Sequence, residues 1–92
     1  MLHLIAYDIS NAGRLRRVAR ACEDYGVRIE KSVFECRLDK NLFLVLWSKL
    51  EEIVAEDEGD RIIAYPIAES EEKKIMVLGH DIERGKKDVY IF

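Results

Sequence analysis

Residues 27–38 read Val27-Arg28-Ile29-Glu30-Lys31-Ser32-Val33-Phe34-Glu35-Cys36-Arg37-Leu38, a strand-forming stretch whose apolar alternation changes phase part-way. Before Lys31-Ser32 the apolar side chains fall on Val27 and Ile29; after it they fall on Phe34, Cys36 and Leu38, with Val33 out of phase. A one-residue slip in a strand moves every later side chain to the other face of the sheet. Lys31-Ser32 therefore marks a bulge or a tight reversal, and the stretch divides into two short strands.

The other elements fall into place on either side. Upstream, Leu15, Val18, Ala19, Cys22 and Tyr25 recur at helical spacing as one apolar stripe. Ser10 or Asn11 can cap that helix, Gly13 loosens its first turn, and Gly26 ends it as a C′ glycine. Residues 2–8 form an apolar run ended by Asp8, a buried strand. Downstream, Asp39 is an N-cap for a second helix whose stripe is Phe43, Leu46, Trp47, Leu50, Ile53 and Val54, closed by Gly59. Leu44 and Val45 lie off that stripe and suggest an extra apolar contact. Ile62-Ile63-Ala64-Tyr65 make a strand stopped by Pro66, and Lys74 to Gly79 a further one. The order predicts an α+β, ferredoxin-like βαββαβ sandwich over residues 1–78, with both helices on one face of the sheet. Residues 79–92 are a tail whose apolar Asp88-Val89-Tyr90-Ile91-Phe92 adds a C-terminal strand on its own or a partner's sheet. Strand one has apolar residues pointing both ways, so the open face needs a cover. We therefore expect a symmetric homodimer with the tail pairing across.

Composition narrows the class. The 92 residues are 49% hydrophobic and 36% charged, which suits one small domain and excludes a disordered chain. One Pro and five Gly exclude collagen-like and linker-like sequences. The longest apolar run, Leu42 to Trp47, falls far short of the ~20 residues needed to span a bilayer. The N-terminal stretch has no basic segment and meets Asp8 too early for a signal peptide, so a cytoplasmic protein is expected. Cys22 and Cys36 read as reduced core residues.

The net charge of −3 hides a segregation. Residues 1–40 carry eight Lys/Arg against six Asp/Glu, residues 41–72 two against nine, and residues 73–92 five against three. The middle acids read as a solvated helix end, while local basic patches remain able to bind phosphate. Arg14, Arg16, Arg17 and Arg20 share the first helix, with no acid between residues 9 and 22. Measured from Arg14, Arg16, Arg20 and Arg17 lie at roughly 200°, 240° and 300°, off the apolar stripe. They are either a solvated face or phosphate contacts, since guanidinium forks match phosphate oxygens. Arg28, Lys31 and Arg37 could extend such a patch, as could Lys86 and Lys87 near the tail.

Asp8 ends strand one just before the helix, where open α/β sheets often place functional groups, with Tyr7, Ser10 and Asn11 beside it. It is either an Asx-turn or cap carboxylate, or a metal ligand. One carboxylate holds Mg²⁺ poorly without phosphates, waters or a second carboxylate, which the second Asp8 of a two-fold dimer would supply. His3 and His80 are isolated, and Phe34 and Tyr65 read as packing residues that could also stack on bases. No Gly-rich phosphate loop, Ser-His-Asp set or Cys/His cluster is present.

Taken together, Leu4-Ile5-Ala6-Tyr7-Asp8-Ile9-Ser10, the Arg-rich helix, Tyr25 to Cys36 (with Lys31-Ser32-Val33-Phe34-Glu35-Cys36) and Asp57 to Ile67 resemble a known family. It is the small core CRISPR-associated adaptation protein, the second conserved protein of those systems, and the resemblance covers essentially residues 1–78. It implies a ferredoxin-like homodimer whose C-terminal strand packs on the partner's sheet, and a partnership with the CRISPR integrase in acquiring spacers. Some members are described as Mg²⁺-dependent endonucleases on single-stranded RNA or double-stranded DNA; others act only as a DNA-spanning bridge. The resemblance assigns Asp8 as catalytic metal ligand, with Tyr7, Arg17, Arg28 and Phe34 as polar, basic and aromatic neighbours. A ribonuclease toxin of related fold is the remaining alternative.

Overall fold

The computed structural model describes residues 1–80. Its elements are β1 (Leu2–Asp8), α1 (Ala12–Glu23), β2 (Val27–Glu30), β3 (Val33–Arg37), α2 (Lys40–Ile53), β4 (Arg61–Ile67) and a short α3 (Glu69–Glu72). A 3₁₀ turn, Glu56–Glu58, links α2 to β4. The strands form one antiparallel sheet in the order β2-β3-β1-β4, the split βαβ arrangement of a ferredoxin-like fold.

Side-chain alternation along β1 sorts the sheet into two faces. Ile5, Tyr7 and Ile9 are buried with Val18 and Cys22 of α1, Phe34 and Cys36 of β3, and Leu46 and Leu50 of α2. This is the core between sheet and helices. Burying a side chain such as Leu46 fully contributes about 1.5–3 kcal/mol. His3 lies on the same face, its ring 4.0 Å from that of Phe43, which stacks in turn on Trp47. The other face carries Leu4, Ala6 and Asp8 of β1 in register with Tyr65, Ile63 and Arg61 of β4, and with Glu35 and Val33 of β3. Tyr65 there is half exposed. Helices α1 and α2 lie on the opposite side, and α3 meets this face at one end through the Arg37–Glu72 ion pair.

The phase change in residues 27–38 has two sources. Lys31-Ser32 is the hairpin turn, and a bulge between Arg28 and Glu30 shifts the β2–β3 register. Capping falls to Asn11, whose Oδ1 accepts from the Arg14 N–H at 2.9 Å, and to Asp39, whose Oδ1 accepts from the Leu42 N–H at 2.8 Å.

Four local expectations are corrected. Gly26 is not a left-handed helix terminator; a Cβ there would lie 2.3 Å from the Glu35 carbonyl oxygen and 2.6 Å from Cys36 Sγ, so the position needs glycine for close packing on β3. The second helix ends at Ile53, six residues before Gly59, because Val54 turns extended; Gly59, at φ 86°, closes the 3₁₀ turn instead. Pro66 does not stop the last strand, which runs to Ile67, because β4 is the sheet's edge and tolerates a missing N–H. Finally, residues 74–79 form no strand among the described residues: they lack a neighbouring ladder, and Met76 and Leu78 are 92% and 101% exposed. Leu44 and Val45 are also exposed, so the extra contact they suggested is not made within the described residues. The tail strand expected at Asp88–Phe92 lies outside the described residues. No helix among the described residues is long and apolar enough to cross a membrane.

Candidate carboxylate and phosphate-binding site

Asp8 sits at the exposed end of β1, and among the described residues its carboxylate makes no hydrogen bond or ion pair. The helix-cap role open to it belongs to Asn11. What remains is a solvent-facing carboxylate at a strand end, flanked by two hollows. One is an open cleft of about 590 Å³ between α1 and the β2–β3 turn; its walls include Asp8, Arg16, Arg28, Glu30, Lys31 and Ser32. The other, of about 190 Å³, lies against Asp8, Arg61 and Ile63 on the sheet face without helices.

One buried aromatic, Tyr7, lines the cleft, and Phe34 packs beside it. Tyr7 is 6% exposed; its hydroxyl donates to the Lys31 carbonyl at 3.3 Å, and its ring lies 6.2 Å from Phe34. Burial pushes the Tyr7 phenol above its ordinary pKa, with Arg28 opposing the shift, so the group is a neutral donor at physiological pH. Phe34 is fully buried, which removes it from base stacking in this conformation; it is the platform over which the Arg28 guanidinium sits, 5.2 Å from the ring centroid. Arg28 also approaches Glu23 at 3.9 Å, an exposed pair of small energetic weight.

The structure sorts the cations. Arg16, Arg28 and Lys31 line the cleft with Asp8. Arg17 and Arg20 are exposed on α1 but do not line it. Arg14 stands apart: its Nε donates to Asp60 Oδ2 at 2.6 Å, and its Nη2 reaches Asp60 Oδ1 at 3.3 Å and Glu58 Oε1 at 3.2 Å. Its guanidinium is engaged in tying α1 to the loop before β4. Ser10 is exposed in the β1–α1 loop and does not line the cleft. Sequence reading missed Asp60, Arg61 and Glu30. Asp60 and Arg61 reach the site only through strand pairing, Arg61 lying opposite Asp8 in the β1–β4 register. The bulge in β2 leaves Glu30 on the cleft wall.

Cys22 and Cys36 are buried free thiols, each pushed up to about 12 chiefly by burial. They are inert core residues. For a divalent metal the donor set is thin: no group of three His, Cys, Asp or Glu side chains among the described residues could hold an ion. Asp8 fits as one ligand of a Mg²⁺ completed from outside the protomer, because that ion commonly takes one or two carboxylates plus phosphate oxygens and water.

The sequence profile of the CRISPR associated protein Cas2 family matches residues 1–75. The chain belongs to that family. It is 36% identical over 92 residues to the CRISPR-associated endoribonuclease Cas2 1 of Chloroflexus aurantiacus, across 99% of both chains. It is 33% identical over 97 residues to the CRISPR-associated endonuclease Cas2 of Halalkalibacterium halodurans, across the whole of both. Among solved structures, Streptococcus pyogenes Cas2 superposes with a TM-score of 0.75 at 33% identity, over 86% of this chain and all of that one. A hypothetical protein of Thermus thermophilus superposes with a TM-score of 0.76 at 32% identity, over 88% and 93% of the two chains. In this Cas2-family chain the unpartnered strand-end carboxylate and its cationic cleft lie within the matched residues.

Proposed function

We propose that this protein is a CRISPR adaptation protein: a nucleic-acid-binding homodimer with Mg²⁺-dependent endonuclease activity on single-stranded RNA or double-stranded DNA, partnered by the CRISPR integrase. One observation carries the reading. Asp8 is a solvent-facing carboxylate with no partner among the described residues, at the edge of a cleft whose other walls hold Arg16, Arg28 and Lys31. A carboxylate kept free beside three cations suits a phosphodiester: the cations take the phosphate oxygens and the carboxylate contributes to a metal.

The chain's own residues divide the work. Arg16, Arg28 and Lys31 bind the backbone at the cleft, and exposed Arg17 and Arg20 extend contact along α1. Phe34 holds the Arg28 guanidinium in place from below. These contacts touch phosphate and position the strand without reading base sequence. Asp8, with Asp8 of a second copy, would hold the Mg²⁺, which when bound polarises the scissile phosphate and lowers the pKa of an attacking water. Two features support the second copy: the sheet face opposite α1 and α2, which bears Leu4, Ala6, Ile63 and Tyr65, and the exposed apolar Ile75 to Leu78, with β4 an edge strand among the described residues.

The thin donor set favours a second reading, in which the dimer spans DNA without cutting it. Cleavage of labelled single-stranded RNA and duplex DNA by the wild type and Asp8→Ala, with Mg²⁺ and with EDTA, separates the two. Cutting that needs both Mg²⁺ and Asp8 is expected. Binding without cutting, equal in the two proteins, would replace the nuclease with the bridge.

A further inference from the structure

Because the Asp8 carboxylate has no side-chain partner among the described residues, its position depends on whatever holds the backbone of residues 8–10. The register holds one side, pairing Asp8 with Arg61. On the other side the chain leaves the sheet through Ile9 and Ser10 and turns into α1 at Ala12.

Immediately before Arg61 stands Asp60, whose side chain reaches the helix that this loop enters. Its side chain is fully shielded from solvent, an unusual place for a carboxylate. It accepts from Arg14 Nε at 2.6 Å, from Arg14 Nη2 at 3.3 Å and from the Ala55 N–H at 2.9 Å. The first turn of α1 and the connection leaving α2 thus meet on the two oxygens of the residue that leads into β4. Two residues beyond Arg14 on the same turn, Arg16 enters the cleft. A buried ion pair is often no more stabilising than an apolar pair of equal volume, but its directional bonds fix one geometry. The acidic stretch that looked like a solvated helix end contains this residue.

We infer that Asp60 is a positioning residue for the site, locking the Asp8 loop and the Arg16 turn of α1 to the start of β4. The inference rests on the proposed role of Asp8. Asp60 touches no substrate; it acts through Arg14, on the helix that the loop from Asp8 enters.

The test uses the full chain bearing Asp60→Asn, beside wild type and Asp8→Ala, at a temperature where circular dichroism shows each folded. Two readouts are taken: amide hydrogen exchange by NMR, and kcat and KM for the preferred nucleic acid. Asp60→Asn is expected to speed exchange of the Ala55 amide at least tenfold with the Ile5 and Ala6 amides unchanged. It is expected to lower kcat at least tenfold with KM nearly constant, and to add nothing further in the Asp8→Ala background. Wild-type kcat in folded Asp60→Asn, or exchange that rises uniformly over the whole sheet, overturns the inference. If the wild type binds but does not cut, the nuclease reading fails on its own, and the exchange pattern alone upholds or overturns the role of Asp60. Should Asp60→Asn not fold, Arg14→Lys, which keeps the charge and loses the fork, is expected to give the same local pattern in smaller degree; its absence in that folded variant counts against the inference equally.

Discussion

His3 shows how one side chain can set a pH dependence. Its ring is stacked on Phe43 and its Nδ1 is buried without a partner among the described residues. Burial first, then the nearby N-terminal charge, holds its pKa below the ordinary 6.5. The folded state therefore binds fewer protons than the unfolded one below that value. Its contribution to stability is complete above pH 6.5 and is lost as pH falls through the depressed folded value. The urea midpoint of the wild type should decline between pH 7 and 5, and His3→Phe, which keeps the stack, should flatten that decline; an equal slope in both proteins refutes it. The Asp60 carboxylate, held low chiefly by Arg14, adds a separate loss only at more acidic pH. Gly26 is a steric counterpart. Gly26→Ala puts a methyl against the Glu35 carbonyl, which is backbone and yields poorly, so a loss of about 2–3 kcal/mol in chemical denaturation is expected. The sequence marks Gly26 as special, but its proximity in sequence to a helix end suggests the wrong reason. The right one involves Glu35 and Cys36, invisible until β2 and β3 pair.

Helix α1 carries four arginines that look alike on a helical wheel and differ in the fold. Arg14 is only 16% exposed in its side chain and is bonded to Asp60 and Glu58, whereas Arg16, Arg17 and Arg20 are exposed. Arg16→Glu with Arg20→Glu should weaken duplex binding roughly a hundredfold at low salt and make the log–log salt slope shallower by about 2, with the melting midpoint nearly unchanged. Arg14→Ala should do the reverse: a midpoint lower by several degrees and near-normal affinity in the folded protein. Filter binding and thermal melts on the same samples distinguish these. Helical periodicity was enough to find the stripe of Val18 and Cys22 and to put the arginines off it. It could not separate Arg14 from the others, because the distinguishing partner lies 46 residues away.

Across the molecule, α1 and α2 cover one face of the sheet; on the other Tyr65 is half exposed, and the β4 edge is unpaired among the described residues. The apolar residues Ile75 to Leu78 stand exposed after α3. The economical arrangement is a pair of chains that cover each other's open faces, with this segment supplying a ladder to a neighbouring edge. Light scattering at micromolar concentration should give a two-chain mass for the wild type and a one-chain mass for Met76→Asp with Leu78→Asp. A single-chain wild type would remove the shared-carboxylate geometry along with the dimer.

Period-two and period-3.6 patterns, with caps such as Asn11 and Asp39, carry local information, and they were sufficient for the order of the main elements from β1 to β4, the helix-facing core and the candidacy of Asp8. Those features follow from which side chains avoid water and which backbone groups need a partner within a few residues. Strand pairing and burial supplied the rest: Pro66 tolerated at an edge, Phe34 sealed beneath Arg28, Arg14 withdrawn from the cationic patch, and Asp60 drawn from an acidic run into the support of the Asp8 loop. Each depends on a contact between residues distant in the chain, and neither propensity nor spacing encodes which distant surface a side chain will meet.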